Sequence, residues 1–108
     1  MLALLTYFFA GAFLVNGVPH FVQGVSGRGF PSPFANPPGQ GESSAQTNVL
    51  WGAFNFVVGY ALAWRVGHFD AAQAWQLAAI SAGGLLMALA ISWHFGKLYG
   101  GARARPKR

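Results

Sequence analysis

Three long stretches without a charged side chain constrain this fold more than any other feature of the sequence. They run from Leu2 to Val18, with an optional extension to Val25, then from Val49 to Trp64, and from Ala71 to Phe95. A helix of about 20 apolar residues crosses the ~30 Å hydrocarbon core of a bilayer. The sequence therefore predicts an all-α fold, a transmembrane three-helix bundle, in a single integral membrane domain covering residues 1–108.

The shortage of charge excludes several other classes of protein. Charged residues make up 8% of the chain, against about 25% in a soluble domain. A soluble monomer and a disordered chain are therefore excluded, and the absence of cysteine excludes a disulfide-stapled mini-protein.

Five of the seven basic residues follow Trp93. A short basic segment after an apolar helix is typical of the cytoplasmic side of a membrane, so we expect no nucleic-acid binding. The segment Arg103–Arg108 is a candidate for binding anionic lipid, at about 1 kcal/mol per basic residue. The alternative is a solvated tail that only sets the topology.

Local signals set the predicted boundaries. Pro19 removes a backbone donor, so the first helix should kink or end there. Pairs that resemble capping boxes, Ser43 with Gln46 and Asp70 with Gln73, precede the second and third helices. The predicted elements are helix 1 at 2–25, a Pro/Gly-rich loop at 26–43, helix 2 at 44–66, helix 3 at 71–96 and a basic tail at 97–108.

The predicted topology follows from the tail. Three spans place the two termini on opposite sides, and the basic tail places the C-terminus in the cytoplasm. The N-terminus and the 67–70 turn are then outside, and the Pro/Gly loop is cytoplasmic. No basic residue precedes the first apolar stretch, so we expect an uncleaved helix rather than a signal peptide.

Small residues form stripes on all three predicted helices. Close packing of small residues holds helices together in lipid, so we expect these stripes to form the helix contacts. Because three stripes are more than one bundle needs, one of them could serve a second copy or a larger membrane protein. The first helix repeats small residues every seven positions, at Ala3, Ala10, Gly17 and Gly24, and the predicted packing residues on the others are Gly52, Gly59, Gly84, Ala88, Ser92 and Gly96.

Polar residues near Pro19 define a candidate ligand site. Asn16, His20 and Gln23 share a helix face if the helix continues, and Asn55 lies on the second helix. One interpretation is a polar pocket roofed by the loop through Phe30 and Phe34. The alternative is structural: the polar groups satisfy the backbone near Pro19 or bond to Asn55, and the two phenylalanines anchor the loop at the headgroups.

The remaining chemistry is sparse. No nucleophile–base set, phosphate loop or pair of carboxylates is present, so no enzymatic activity is expected. Ion-coupled transport is disfavoured because no ionisable carboxylate or basic group lies in the apolar stretches. His20 and His94 both fall near the predicted cytoplasmic side, which leaves a bis-histidine haem or metal as a minor alternative. No cofactor or metal is otherwise expected.

Four short runs carry a family resemblance within about residues 10–60. They are Asn16–Phe21 (NGVPHF), Gly29–Phe34 (GFPSPF), Pro37–Gly39 (PPG) and Asn48–Gly52 (NVLWG). In these runs the chain resembles a group of small, uncharacterised bacterial multi-pass membrane proteins. The resemblance implies a bacterial inner membrane and transfers no site residue.

Three functions remain open on the sequence. The first expectation is a non-enzymatic inner-membrane protein that acts through helix–helix contacts, as an accessory subunit or a self-associating bundle. The second is a binder or carrier of a small apolar or aromatic molecule at the broken first helix. The third is a haem- or metal-bearing membrane subunit.

Overall fold

The computed structural model describes the backbone of residues 1–103 and the side chains of residues 1–100. The chain is mostly helical. Three of its segments, Leu2–Val25, Ala45–Val66 and Ala74–Gly100, are each long and apolar enough to cross a membrane, which confirms the predicted helices. The elements are α1 (Leu2–Val25), β1 (Phe30–Pro31), β2 (Glu42–Ser43), α2 (Ala45–Tyr60) with a π-helical continuation (Ala61–Val66), and α3 (Ala74–Arg103).

Helix α1 lies at the centre, and both other helices pack against it. Glycines make the α1–α2 contact possible: a Cβ built on Gly17 would lie 2.8 Å from the carbonyl oxygen of Gly52, and one built on Gly24 would lie 2.7 Å from that of Ala45. A third α2 glycine, Gly59, packs against the Leu14 side chain. Backbone therefore lies directly on backbone, as expected for helices held by small residues.

The α1–α3 contact is closer still. A Cβ on Gly83 would overlap the carbonyl oxygen of Phe8, and a Cβ on Gly11 would overlap that of Ile80. Gly83 and Gly84 are both buried. Gly11 on α1 and Gly83 on α3 thus each leave room for the backbone of the other helix, which allows α1 and α3 to meet.

The predicted stripe on α3 turns away from this contact along the helix. Gly84 is buried and Ala88 is half-buried, whereas Ser92 and Gly96 are exposed, and a Cβ on Gly96 would meet nothing within 4 Å. A four-residue step overshoots one turn of 3.6 residues by about 40°. The prediction that Ser92 and Gly96 pack against α1 or α2 therefore fails within this chain.

Pro19 does not end α1, which continues to Val25 with the proline inside it. The segment beyond Pro19 is held by packing, since His20 and Gly24 are both buried. The last turn closes with backbone bonds from Ser26 N–H to the carbonyls of Val22 and Gln23. Tertiary contacts thus outweigh the loss of one backbone donor.

Two predicted helix starts shift. The cap of α2 is Ser44 rather than Ser43: its Oγ accepts a hydrogen bond from Thr47 N–H at 3.1 Å. Helix α3 begins at Ala74 rather than residue 71, because Asp70 closes a separate turn. Its Oδ1 accepts from Ala72 N–H at 3.0 Å, and its own N–H donates to the Gln76 side chain at 2.7 Å.

Helix α3 also runs beyond the predicted end at residue 96, to Arg103. The ammonium of Lys97 lies 4.1 Å from the centre of the Trp93 ring one turn earlier. Tyr99 donates a hydrogen bond to Glu42 Oε2 at 2.8 Å, which ties this extension to the loop. Residues 97–103 are therefore helix rather than tail, and the predicted lipid site at Arg103–Arg108 lies outside the described side chains.

The opposite end is held by Tyr7, which is buried. Its hydroxyl donates to the carbonyl oxygen of Gly67, and its ring meets Phe69 and Trp75 edge to face at 5.7 and 5.6 Å. The ring lies so close that a Cβ on Gly67 would be 2.5 Å from it. Gly67 is therefore required for close approach, and His68 takes the left-handed conformation at φ 51°.

Candidate ligand site between the three helices

A cavity of about 390 Å³ lies where the loop covers the ends of the helices. This volume falls in the ~300–1,000 Å³ range of small-molecule pockets. Helices α1, α2 and α3 and the loop all contribute to its lining, and it is open on one side. The lining residues are Asn16, His20, Pro31, Ser32, Pro33, Pro38, Gly39, Trp51, Ile91, His94 and Phe95.

Asn48 organises the site. It is 0% exposed, and its Nδ2 donates to the carbonyl oxygens of Phe30 at 2.9 Å and Ser44 at 3.0 Å. Its Oδ1 lies 2.8 Å from His20 Nδ1. One amide thus connects α1, the loop and the start of α2, and fixes the loop over the cavity.

The same bonds determine which ring nitrogen of His20 carries the proton. Because Asn48 Nδ2 donates to two carbonyls, Asn48 Oδ1 is the acceptor, so His20 Nδ1 carries a proton. In the neutral imidazole Nε2 is then an acceptor. Among the described residues no buried side-chain nitrogen or oxygen lacks a partner, and Nε2 bonds to none of them. Nε2 is therefore accessible rather than buried, and His20 is among the residues that line the cavity, although the residue as a whole is only 3% exposed.

His94 faces the cavity from α3. Its Nε2 lies 2.7 Å from the carbonyl oxygen of Gly39. A carbonyl oxygen only accepts, so Nε2 donates and Nδ1 is left as the acceptor in the neutral ring. Both histidines thus use one nitrogen to hold the structure and keep an acceptor nitrogen free of any partner within the described part of the chain.

Asn16 lines the end of the cavity that is nearer the middle of α1. Its Nδ2 donates to Asn55 Oδ1 at 3.0 Å, and Asn55 Nδ2 donates to the carbonyl oxygen of Trp51 at 2.8 Å. Asn55 is fully buried. The predicted bond between Asn16 and Asn55 is present, and it leaves Asn16 Oδ1 as an acceptor at the cavity.

Aromatic rings surround the histidine. Phe30 meets the His20 ring edge to face at 5.4 Å, and its centre lies 4.6 Å from that of Phe95. Trp51 and Phe95 lie 6.4 and 6.2 Å from His20. Flat apolar walls beside a few polar atoms are the usual composition of a small-molecule pocket.

The structure separates the six predicted ligand residues. Asn16 and His20 line the polar cavity, Phe30 packs beside it, and Asn55 lies behind Asn16. Gln23 is not part of the site, since its Oε1 accepts a hydrogen bond from Arg28 Nε at 2.8 Å. Phe34 is 66% exposed and packs on the outside of Trp51 at 5.3 Å, so it does not roof the pocket.

Asn48 is the central residue that the sequence analysis missed. A signal for it exists: it precedes Gly52 by four residues and Asn55 by seven, which places it on the buried face of α2. Trp51 and Phe95 were missed because nothing in the sequence distinguishes them from lipid-facing aromatic residues.

The chemistry of the cavity is neutral. No Asp, Glu, Lys or Arg is among the residues that line it. Within the described residues, no three side chains of the metal-binding types lie together. Searches against protein-family models, curated proteins and solved structures found no match for this chain.

Proposed function

We propose that this chain is a multi-pass protein of a bacterial inner membrane that binds a neutral small molecule in the cavity between His20 and His94. The basic residues after Trp93 favour a cytoplasmic C-terminus. The three helices then form a transmembrane bundle with the N-terminus outside. The Pro/Gly-rich loop and the polar cavity lie on the cytoplasmic side.

The observation that carries this proposal is the unused nitrogen of His20. A histidine that only stabilises a core usually has both ring nitrogens hydrogen-bonded within the protein, whereas His20 Nε2 is accessible and bonds to no described residue. His20 satisfies Nδ1 and directs Nε2 into a cavity bordered by His94 and Asn16. A ligand that donates a hydrogen bond would replace water at this nitrogen.

The test uses histidine substitutions that keep the structural bonds. His20→Asn retains a side-chain donor near the position of Nδ1 and removes Nε2. His94→Gln retains a donor near the position of Nε2 and removes Nδ1. The full chain is purified in mild detergent, and bound molecules are identified by native mass spectrometry. We expect a molecule bound to the wild type and lost from both variants, with thermal unfolding nearly unchanged.

Leu85→Ala is the matched control, since Leu85 is exposed on α3 and should retain the molecule. A wild type that carries no molecule contradicts the proposal. So does a His20→Asn variant that keeps the molecule and only unfolds more easily. A haem absorption band or a bound metal would replace the proposal with the third function, in which the two free nitrogens are ligands.

A second candidate function is association through helix contacts, as an accessory subunit or a self-associating bundle. It is favoured by Ser92 and Gly96, the part of the small-residue stripe that this chain leaves exposed. Replacing both with leucine should abolish energy transfer between two labelled copies in a bilayer, whereas Leu85→Ala should not. Unchanged transfer would count against self-association through this face.

A further inference from the structure

The polar cavity adjoins an apolar cavity along the same helices, and we call the two together the cleft. This second cavity, of about 420 Å³, also contains Asn16 in its lining. Going from the apolar cavity to the polar cavity, the residue numbers of the lining rise along α1, from Phe8 to His20, and along α3, from Gly83 to Phe95. They fall along α2, from Asn55 to Trp51. These directions match consecutive antiparallel helices, so the two cavities are successive sections along the same helices.

The second section is apolar and open at the side. Besides Asn16 and Asn55, its lining is made of aromatic, aliphatic and glycine residues. Two of them, Phe9 and Leu86, are 49% and 54% exposed. In a bilayer this surface faces hydrocarbon, so an apolar chain can enter from the lipid and lie with one end at Asn16.

The polar section favours a neutral ligand that can donate a hydrogen bond. His20 Nε2, His94 Nδ1 and Asn16 Oδ1 all accept hydrogen bonds. An ammonium head would find no carboxylate in the lining, and a phosphate or carboxylate head would find no lysine or arginine; burying a charge without such a partner is costly. A hydroxyl head can donate to one of these acceptors and accept from the second Nδ2–H of Asn16, which the bond to Asn55 leaves unused, whereas a carbonyl head can only accept.

We infer that the cleft binds a neutral amphiphile with an aromatic hydroxyl head, a phenol or hydroquinone, and an apolar chain. The head lies among His20, Trp51 and Phe95, whose rings offer edge and face contacts. The chain follows α1 past Asn16 into the apolar section. This inference rests on the proposed function and specifies its ligand.

The probe is 2-decylhydroquinone, kept reduced under argon. The full chain is placed in phosphatidylcholine nanodiscs, because sugar detergents carry competing hydroxyl groups. Binding is titrated by native mass spectrometry and corrected with empty nanodiscs. Three comparison probes each lack one feature: the dimethyl ether has no donor, hydroquinone has no chain, and 1-dodecanol has no ring. We expect each to bind at least about tenfold more weakly.

Amino-acid substitutions test the polar and the apolar section separately. His20→Asn should weaken binding of 2-decylhydroquinone about tenfold. Ala90→Phe should fill the apolar section, which Ala90 lines, and should weaken the decyl compound without changing the binding of hydroquinone. Its control is Leu89→Phe, because Leu89 is the exposed neighbour and should leave all binding unchanged.

The outcomes separate the two proposals. If the ether or dodecanol binds as well as the hydroquinone, or if Ala90→Phe has no effect, the inference is wrong while a ligand site at His20 stands. A charged molecule found in the wild-type protein would likewise show that the inference is wrong and leave the ligand site at His20 standing. If no probe binds and the purified protein carries nothing, both proposals fail.

Discussion

A matched pair of glycine substitutions on one helix tests the closest contact in the molecule. Gly83→Ala places a methyl group against the Phe8 carbonyl oxygen, where backbone of α1 and α3 meet. Gly96→Ala makes the same chemical change on the same helix, in open space. The difference between the free energies of unfolding of the two variants gives the cost of the contact.

The expected difference in the free energy of unfolding can be worked out because both variants replace glycine with alanine in the same helix. Alanine favours a helix over glycine by about 1 kcal/mol, and this gain is common to both variants, so it cancels when they are compared. What remains is the cost of forcing α1 and α3 apart, typically ~1–3 kcal/mol for overpacking a tight site. The obstructing atom is backbone, which cannot rotate away, so the upper half of that range is expected. Gly96→Ala itself should be neutral or slightly stabilising.

The free energy of unfolding is measured by titration with sodium dodecyl sulfate, followed by far-ultraviolet circular dichroism. Gly83→Ala should unfold at lower denaturant with a slope similar to wild type. If the two variants have free energies of unfolding within about 0.5 kcal/mol of each other, the close approach of α1 and α3 is not a feature of the folded protein.

Two further predictions concern the loop and the orientation. Asn48→Leu removes two donated bonds and the acceptor for His20, so it should cost about 3 kcal/mol at ~1 kcal/mol per bond and expose the loop to limited proteolysis; a variant as resistant as wild type would show that Asn48 does not hold the loop. The chain has no cysteine, so single cysteines at the exposed positions His68 and Gln40 report topology. A membrane-impermeant maleimide should label His68→Cys in intact cells and Gln40→Cys only after lysis, and the reverse pattern would invert the orientation.

The helices were predictable because span length and lack of charge are local properties of the sequence. The positions of small residues were predictable only where the spacing follows the helix surface. A seven-residue spacing drifts by about 20° per step, so Ala10, Gly17 and Gly24 lie buried on α1, whereas Ala3 at the start of the helix is exposed. The four-residue spacing on α3 drifts by about 40° per step, and Ser92 and Gly96 leave the contact.

The candidate site was predictable in its polar residues and not in its boundaries. A buried polar side chain in an apolar helix requires a partner, which pointed to Asn16, His20 and Asn55. Which loop residue turns inward depends on tertiary packing: Phe30 fills the space beside His20, while Phe34, four residues later, lies outside. Asn48 was overlooked because a polar residue near a helix start resembles an ordinary solvated first turn.

The central position of α1 has a consequence for biogenesis. Asn16 and His20 enter the membrane with α1, but their partners Asn55 and Asn48 lie 39 and 28 residues later in the chain. At a synthesis rate of ~5–20 residues per second, the first of these gaps lasts about 2–8 s. During that interval lipid offers these side chains no partner. On the proposed membrane placement, we therefore expect α1 to stay beside the insertion machinery until α2 arrives, so that the two helices enter the bilayer as a pair.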